Sequence, residues 1–252
     1  NWGDIFFDID ANRMATRLYG EAVAKSVKDP ETAAALVPSH PFGCKRPIID
    51  QGYYETFNRD NVTLVDLRNG PIRSVTPTGI DTEQGSYDLD AIIYATGFDA
   101  MTGALTRIDI RGRDGALLRD VWATDGPVSY LGLAVAGFPN LFTVQGPGSP
   151  AAATNFVAAL EQHVEWIGDC ITFLRDNGYR MIEARPEAQT EWIELTTALV
   201  APTVLVHPSC NSWYNGGNVP GKKRMYMGFT AGIPEYRRRC DEIADNGYAG
   251  FA

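Results

Sequence analysis

Asp90-Ala91-Ile92-Ile93-Tyr94-Ala95-Thr96-Gly97-Phe98-Asp99 is the stretch on which the fold of this chain turns. Ala91 to Tyr94 run apolar or aromatic without alternation. That is the pattern of a strand covered on both faces, as in the parallel sheet of an α/β domain. The strand predicted over Ile92–Tyr94 ends in Ala95-Thr96-Gly97, where Gly97 permits positive φ and close approach of the backbone. Asp99 reads either as a brace at this crossing or as an exposed turn carboxylate.

Upstream, short β-prone pieces from Pro71 to Asp90 are broken at Thr78-Gly79 and Gln84-Gly85-Ser86, which predicts a small antiparallel meander. Asn61 to Asp66 reads as a further strand. Met14, Leu18, Ala22 and Lys25 stand at helical spacing within Ala11 to Lys28. Asp29-Pro30-Glu31 supplies an N-cap, a proline for the first helical position and an acid for the first turn of a short helix to Val37. Prolines and glycines punctuate His40 to Phe57, which predicts loops with a short helix near Tyr53–Phe57.

Downstream, Asn140 to Gln145 reads as a strand, followed by Gly146-Pro147-Gly148-Ser149-Pro150-Ala151. The letters fit a G-x-G-x-x-A dinucleotide loop, but two prolines stiffen a segment that must wrap a pyrophosphate. No strand with a terminal acid follows at the required distance, so the dinucleotide reading is rejected. A long amphipathic helix follows, with Phe156, Leu160, His163, Val164, Ile167, Cys170, Ile171 and Leu174 on one face and Asn177-Gly178 as its stop. Another helix opens near Pro186 and buries Trp192, Leu195 and Leu199.

The 252 residues suffice for one or two domains, and 44% hydrophobic with 21% charged residues is the balance of a globular protein. A net charge of −9 leaves no basic stripe for phosphate backbones or anionic membranes, so nucleic-acid and membrane partners are not expected. Cys44, Cys170, Cys210 and Cys240 form no C-x-x-C pair, and with three histidines they give no metal-ligand pattern. The expectation is thiols in a reducing, cytoplasmic compartment and no metal. G-x-S-x-G, H-E-x-x-H and P-loop patterns are absent, which removes the main hydrolase, zinc-protease and nucleotide-hydrolysing readings. His163 reads as a core histidine rather than a base; His40 and His207 stay unassigned.

Three places can carry chemistry. Lys45-Arg46 sets two cations side by side in an apolar, proline-flanked loop. An arginine fork stays protonated and suits charge that develops during a reaction, while a lysine is a compact point charge suited to phosphate. The competing reading is a pair of solvated surface cations. Trp213 lies in the glycine-rich loop Ser212 to Lys222, where an indole can fold over a ligand and stack on it, or else anchor a core. Pro150 to Phe156 leads into the long helix, whose amino terminus favours negative charge. Lys222 and Lys223 could reach phosphate, though ordinary surface charge is the favoured reading.

Ala95-Thr96-Gly97-Phe98-Asp99 resembles the segment of class B flavin monooxygenases where the chain returns from the NADP domain to the FAD domain. Pro41-Phe42-Gly43-Cys44-Lys45-Arg46-Pro47, Tyr53 to Val62, Phe138-Pro139-Asn140-Leu141-Phe142 and Ser212 to Lys222 resemble the Baeyer–Villiger branch, in that family's order. The resemblance implies an α/β fold, with residues 1–90 closing a Rossmann-like NADP-binding domain and residues 91–252 returning to an FAD-binding domain. It implies FAD and NADPH as cofactors, O2 and a ketone as substrates, and insertion of one oxygen atom to give an ester or lactone. Arg46 would be the catalytic cation and an NADP contact, Lys45 would meet the NADPH phosphate, and Trp213 would close on NADP. Phe156 would touch the flavin through its backbone, and Ala151, Ala152 and Ala153 would line the substrate pocket. Both glycine-rich nucleotide loops of such enzymes are missing here and residue 1 is Asn, so the expected partner is an amino-terminal half of the same enzyme. The rival expectations are a flavin N- or S-oxygenase and a non-catalytic interaction module.

Overall fold

The computed structural model describes residues 2–150 and 154–252, which form two compact units, Asn1–Gly97 and Phe98–Ala252. In the first unit, helix α1 (Ile9–Ser26) begins at Asp8, whose carboxylate accepts from the amides of Asp10 and Ala11. These two backbone donors, Ala11 foremost, hold the Asp8 carboxyl below the usual carboxylate range. Helix α2 (Pro30–Leu36) starts as its sequence requires, with Pro30 in the first turn and Asp29 accepting from the Thr32 amide. Val23, Val27 and Ala33 form the local core, with Tyr19, Leu36, Val37, Tyr54 and Phe57 packed around it. Met14 and Leu18 are exposed, and the buried face runs through Asn12, Ala15 and Val23. The reason is Asn12, whose amide is drawn inward to backbone groups, as described below.

Helix α3 (Tyr53–Thr56) is a single turn that starts after Gly52 in the left-handed region. Strands β1 (Ile72–Thr76), β2 (Gly79–Thr82) and β3 (Ser86–Asp88) make the expected meander in the order β1-β2-β3, antiparallel throughout. Thr82 shapes the second turn by accepting from the amides of Gln84 and Gly85 through Oγ1.

Two expected strands of this region do not form. Residues 91–99 carry no strand, and Ile93, Tyr94 and Phe98 are 90%, 73% and 88% exposed. A strand buried on both faces needs neighbours on both edges and layers above and below. The described residues supply only the three-stranded meander. Asn61–Asp66 likewise forms no strand. Gly97 does take a positive φ of 82°.

In the second unit, α4 (Gly103–Thr106) and α5 (Leu118–Asp125) precede a chain of turns, and α6 (Phe156–Asp176), α7 (Pro186–Val200) and α8 (Ile233–Asp245) form the helical body. Trp166, Cys170, Trp192, Tyr236, Cys240 and Phe251 belong to one buried cluster with Tyr130, Leu131 and Leu133. Trp192 lies stacked on Phe229 at 5.3 Å, an arrangement worth about 0.5–1.5 kcal/mol beyond area burial. The polar tips inside this core find backbone partners, Trp166 Nε1 on the Cys240 carbonyl at 3.0 Å and Tyr236 Oη on the Leu131 carbonyl at 2.6 Å. A second cluster joins Leu118, Trp122, Val128, Val135 and Phe138. Gly178 closes α6 at a φ of 71°, as its place after Asn177 predicts.

Asn140–Gln145 forms turns rather than the expected strand. The next residues zip onto a distant segment instead, the Gly148 amide on the Met227 carbonyl at 3.0 Å and the Phe229 amide on the Ser149 carbonyl at 2.9 Å. A Cβ on Gly146 would sit 2.5 Å from Thr143 Oγ1 and 2.6 Å from the Gly132 carbonyl oxygen. That glycine serves a close approach of the chain to itself, consistent with rejecting a pyrophosphate loop there. Cys170 and Cys240 are buried free thiols, and burial pushes both up to about 12. Cys44 and Cys210 are not free, which corrects the expectation of four thiols and weakens the argument for a reducing compartment. Among the described residues no helix is long and apolar enough to cross a membrane.

Candidate functional site

The first unit contains a cavity of about 720 Å³, and Lys45 and Arg46 both line it. Their placement starts at Asn12, which is 1% exposed. Its Nδ2 donates to the Ile5 and Phe42 carbonyls, each at 2.8 Å, and its Oδ1 accepts from the Phe42 amide at 2.9 Å. One buried side chain thus stands in for a backbone ladder and fixes the turn that enters the cation pair. Gly43 adds a second constraint. It holds a φ of 79°, and a Cβ there would lie 2.7 Å from the Phe6 ring. Past the pair, Asp50 Oδ1 accepts from the Tyr53 amide at 2.6 Å and steers the chain into α3.

Lys45 and Arg46 are exposed, and neither makes an ion pair or hydrogen bond with another described residue. Their charge is uncommitted. The same lining is rich in aromatic rings. Tyr19 packs at 6.2 Å from both Phe42 and Tyr54, and Tyr53 meets Tyr54 edge-on at 5.3 Å. The Tyr19 and Tyr54 hydroxyls are hydrogen-bonded to each other. Burial, with the Tyr19 hydroxyl second, raises the Tyr54 phenol above its ordinary range, so it stays protonated. His40 also lines the cavity, and burial first and the Lys45 charge second keep it below its ordinary value. Ile48 and Ile49 are 89% and 90% exposed. Two cations bonded to no described residue, beside a cluster of edge-on and tilted aromatic rings, suit a ring system bearing phosphate. Sequence reasoning found the cations and missed Asn12, Tyr19 and Tyr54. No pattern in the sequence singles out Asn12, whose partners Ile5 and Phe42 lie 7 and 30 residues away.

Trp213 and Phe156 belong to the second unit. Trp213 opens a one-turn helix, Trp213–Asn215, capped by Ser212 Oγ on the Tyr214 amide at 3.1 Å. Its ring lies 4.3 Å from that of Tyr214 and is partly buried against Val200, Tyr214 and Tyr226. Asn215 Nδ2 donates to the Cys210 carbonyl at 2.8 Å, and the Met225 and Met227 amides bond the Asn215 and Tyr214 carbonyls. Phe156 is the first residue of α6 and is 43% exposed. Asn155 caps the helix on the Val157 amide at 3.0 Å. The expected substrate-pocket residues Ala151, Ala152 and Ala153 lie outside the described residues.

His163 sits in the core beside this helix start, 0% exposed, accepting from the Gln145 amide through Nδ1 at 2.9 Å. Burial pushes it down to about 4, so it is neutral at pH 7. Its Nε2, together with Gln145 Oε1, Ser149 Oγ and Gln162 Oε1, has no partner among the described residues. Orphaned buried polar atoms ahead of and along a helix start fit a polar group or ordered water there.

No family model matches the sequence. Across 255 residues and its whole length, the chain is 42% identical to a cyclopentanone 1,2-monooxygenase of Comamonas sp. (strain NCIMB 9872), covering 46% of that protein. It is 39% identical over 242 residues, 96% of its length and 43% of the relative's, to a Baeyer–Villiger monooxygenase of Pseudooceanicola batsensis. A phenazine N-monooxygenase of Lysobacter antibioticus is also 39% identical, over 99% of the chain and 45% of its own length. A closed crystal structure of cyclohexanone monooxygenase superposes with a TM-score of 0.93 at 45% identity, over 99% of the chain and 46% of its own. The enzyme OTEMO, crystallised with FAD and NADP, gives 0.92 at 42% identity over the same shares. The chain spans about half the length of the curated relatives it matches.

Proposed function

We propose that the protein containing this chain, which belongs to the Baeyer–Villiger monooxygenases and has their α/β fold, inserts one atom of O2 beside a ketone carbonyl at the expense of NADPH. The observation that carries this reading is the exposed, unpaired Lys45-Arg46 couple on the wall of an aromatic cavity. The residues present fit the cofactors. Lys45 offers a point charge to the coenzyme's phosphate, Arg46 offers a planar fork to oxygen-centred charge, and the start of α6 at Phe156 offers backbone amides to an anionic ring. Bound FAD supplies the redox chemistry with O2.

The chain's own residues do the following. Asn12 and Gly43 preset the loop, so that the cations meet their anions without reordering. Arg46 stabilises negative charge that appears only as oxygen is transferred, a role in which preorganised donors are most effective. Trp213 covers the coenzyme and excludes water, and Ala151, Ala152 and Ala153 leave room for the ketone. In this reading residues 1–90 complete an NADP-binding domain, residues 91–252 return to an FAD-binding domain, and an amino-terminal half of the same enzyme supplies the two nucleotide loops. The exposure of Ile93 and Tyr94 supports that last partner, because apolar strand residues need a sheet to enter.

A second reading, nitrogen oxygenation, is favoured by the likeness to the phenazine N-monooxygenase. The full-length protein, loaded with FAD and given NADPH and O2, decides between them. A cyclic ketone should yield its lactone in step with NADPH consumed. N-oxide from a heteroaromatic amine without lactone would replace the first reading with the second.

A further inference from the structure

Lys222 and Asp99 form an ion pair in which the side chains are 15% and 30% exposed. It is the least exposed such pair among the described residues, and the remaining pairs keep at least one partner more than 30% exposed. Withdrawing two charges from water is costly, so a pair kept this way needs a positional reason. Its surroundings supply one. Asp99 is boxed in on its own side, Thr102 Oγ1 lying 3.5 Å from Oδ1, and a Cβ on Gly103 would come within 2.7 Å of the Asp99 Cβ. Lys222 also donates to the Ala100 carbonyl at 3.4 Å, and Asn218 Nδ2 donates to the Phe98 carbonyl at 3.2 Å.

The other end of the same loop is fixed separately, through Asn215 and the Met225 and Met227 amides. Between those anchors stand Gly216, Gly217 and Gly221, two of them at φ of 72° and 78°. Such backbone has many alternatives open to it unless tied at both ends. The stem of Lys222 doubles back over the loop, since a Cβ on Gly216 would lie 3.2 Å from its Cδ. The side chain thus closes the loop on itself and ties it to residues 98–100, directly after the boundary between the two units.

We infer that Asp99 and Lys222 are positioning residues that hold the Trp213 loop in its coenzyme-covering shape. The inference rests on the proposed role of Trp213. Lys222 is accordingly not a phosphate contact, because its ammonium group is already engaged.

The test uses the full-length FAD-loaded enzyme with Asp99→Asn, Lys222→Met, the double variant and Lys222→Arg. Hydrogen exchange of the amides of residues 213–222 should quicken about tenfold in either single charge-removing variant, as for a segment that has lost one anchoring contact. The double variant should be no worse than the singles, because they remove one shared contact. Lys222→Arg should restore most of the protection. The KM for NADPH should rise with the exchange rate, while the thermal midpoint and the rate of flavin reduction at saturating NADPH stay near wild type. Lys222→Met, at a loop end, gives the same readout should Asp99→Asn fold poorly. Unchanged exchange overturns the positioning role. Faster exchange with an unaltered KM for NADPH overturns the coenzyme role of Trp213, so the two failures are distinguishable.

Discussion

The loop through Lys45 and Arg46 and the loop ending in Lys222 have much in common, being rich in proline or glycine and each carrying adjacent cations. Lys45 and Arg46 are exposed and bond no described residue, while the backbone behind them is clamped by a buried amide. In the second loop the cation itself is the clamp, withdrawn from water onto Asp99. Lys223 is also engaged, donating to the Thr124 carbonyl at 3.0 Å. A charge left free on a rigid backbone is available to a ligand; a charge spent on its own chain buys rigidity for its neighbours. The residue letters are alike in both cases. What differs is a partner 123 residues away in sequence.

The comparison breaks first at Arg46. If its charge is free because it awaits charge developing in the reaction, Arg46→Ala should cost about two to three decades in ester formation. Reduction of the flavin by NADPH should be little changed, and the oxygen consumed should appear as hydrogen peroxide. Arg46→Lys should recover little, because an ammonium group lacks the planar fork. Stopped-flow spectra with product analysis decide it, and normal ester yield from Arg46→Ala would remove the residue from the mechanism.

Asn12 tests the other half of the contrast, that the first loop is held from behind. Asn12→Ala strands two carbonyls and one amide in a buried place and should lower stability by about 2–3 kcal/mol. Chemical denaturation reads the stability, and the KM for NADPH should climb as the turn loosens. An unaltered denaturation midpoint would mean that Gly43 and Phe6 hold the turn without it.

Lys45 gives a smaller effect with a sharper signature. Lys45→Ala should raise the KM for NADPH by about one to two decades and leave that for NADH nearly unmoved, since only the former carries the extra phosphate. Equal losses for both coenzymes would show that Lys45 is not the phosphate reader.

The legible parts of this chain were those written locally. Asp29-Pro30-Glu31 opens α2, the turn residues between Pro71 and Asp90 mark the meander, and Asn177-Gly178 ends α6. The Lys45-Arg46 pair is singled out by the family resemblance, since two adjacent cations by themselves read first as solvated surface charge. What failed was whatever depended on distant chain. Ile92–Tyr94 has the composition of a buried strand, but composition cannot supply the sheet around it. Asn12 is buried for its hydrogen bonds, not its hydrophobicity, so nothing in the residue letters marks it. Asp99 carries two readings, and its ion pair with Lys222 removes that of an exposed turn carboxylate.

His163 extends the contrast between free and committed groups to a titration, with the smallest expected effect. Its Nδ1 lone pair is engaged by the Gln145 amide, so a second proton would have to displace that donor and place a charge in a buried core. Burial accordingly holds the ring at about 4, against 6.5 for a free imidazole. The folded value lies below the unfolded one, so between these two pH values the unfolded chain binds more protons than the folded one. The stability contributed by the neutral ring is therefore complete above pH 6.5, declines as pH falls towards 4, and changes no further below that. After allowance for relaxation and water entry, the decline should amount to about 1–2 kcal/mol. His163→Asn keeps an acceptor for the Gln145 amide and removes the titrating group. Subtracting its stability curve from that of the native protein over this interval cancels the carboxylates and isolates the histidine. A difference that stays flat from pH 6.5 to 4 would mean the folded core binds the proton as readily as the unfolded chain does.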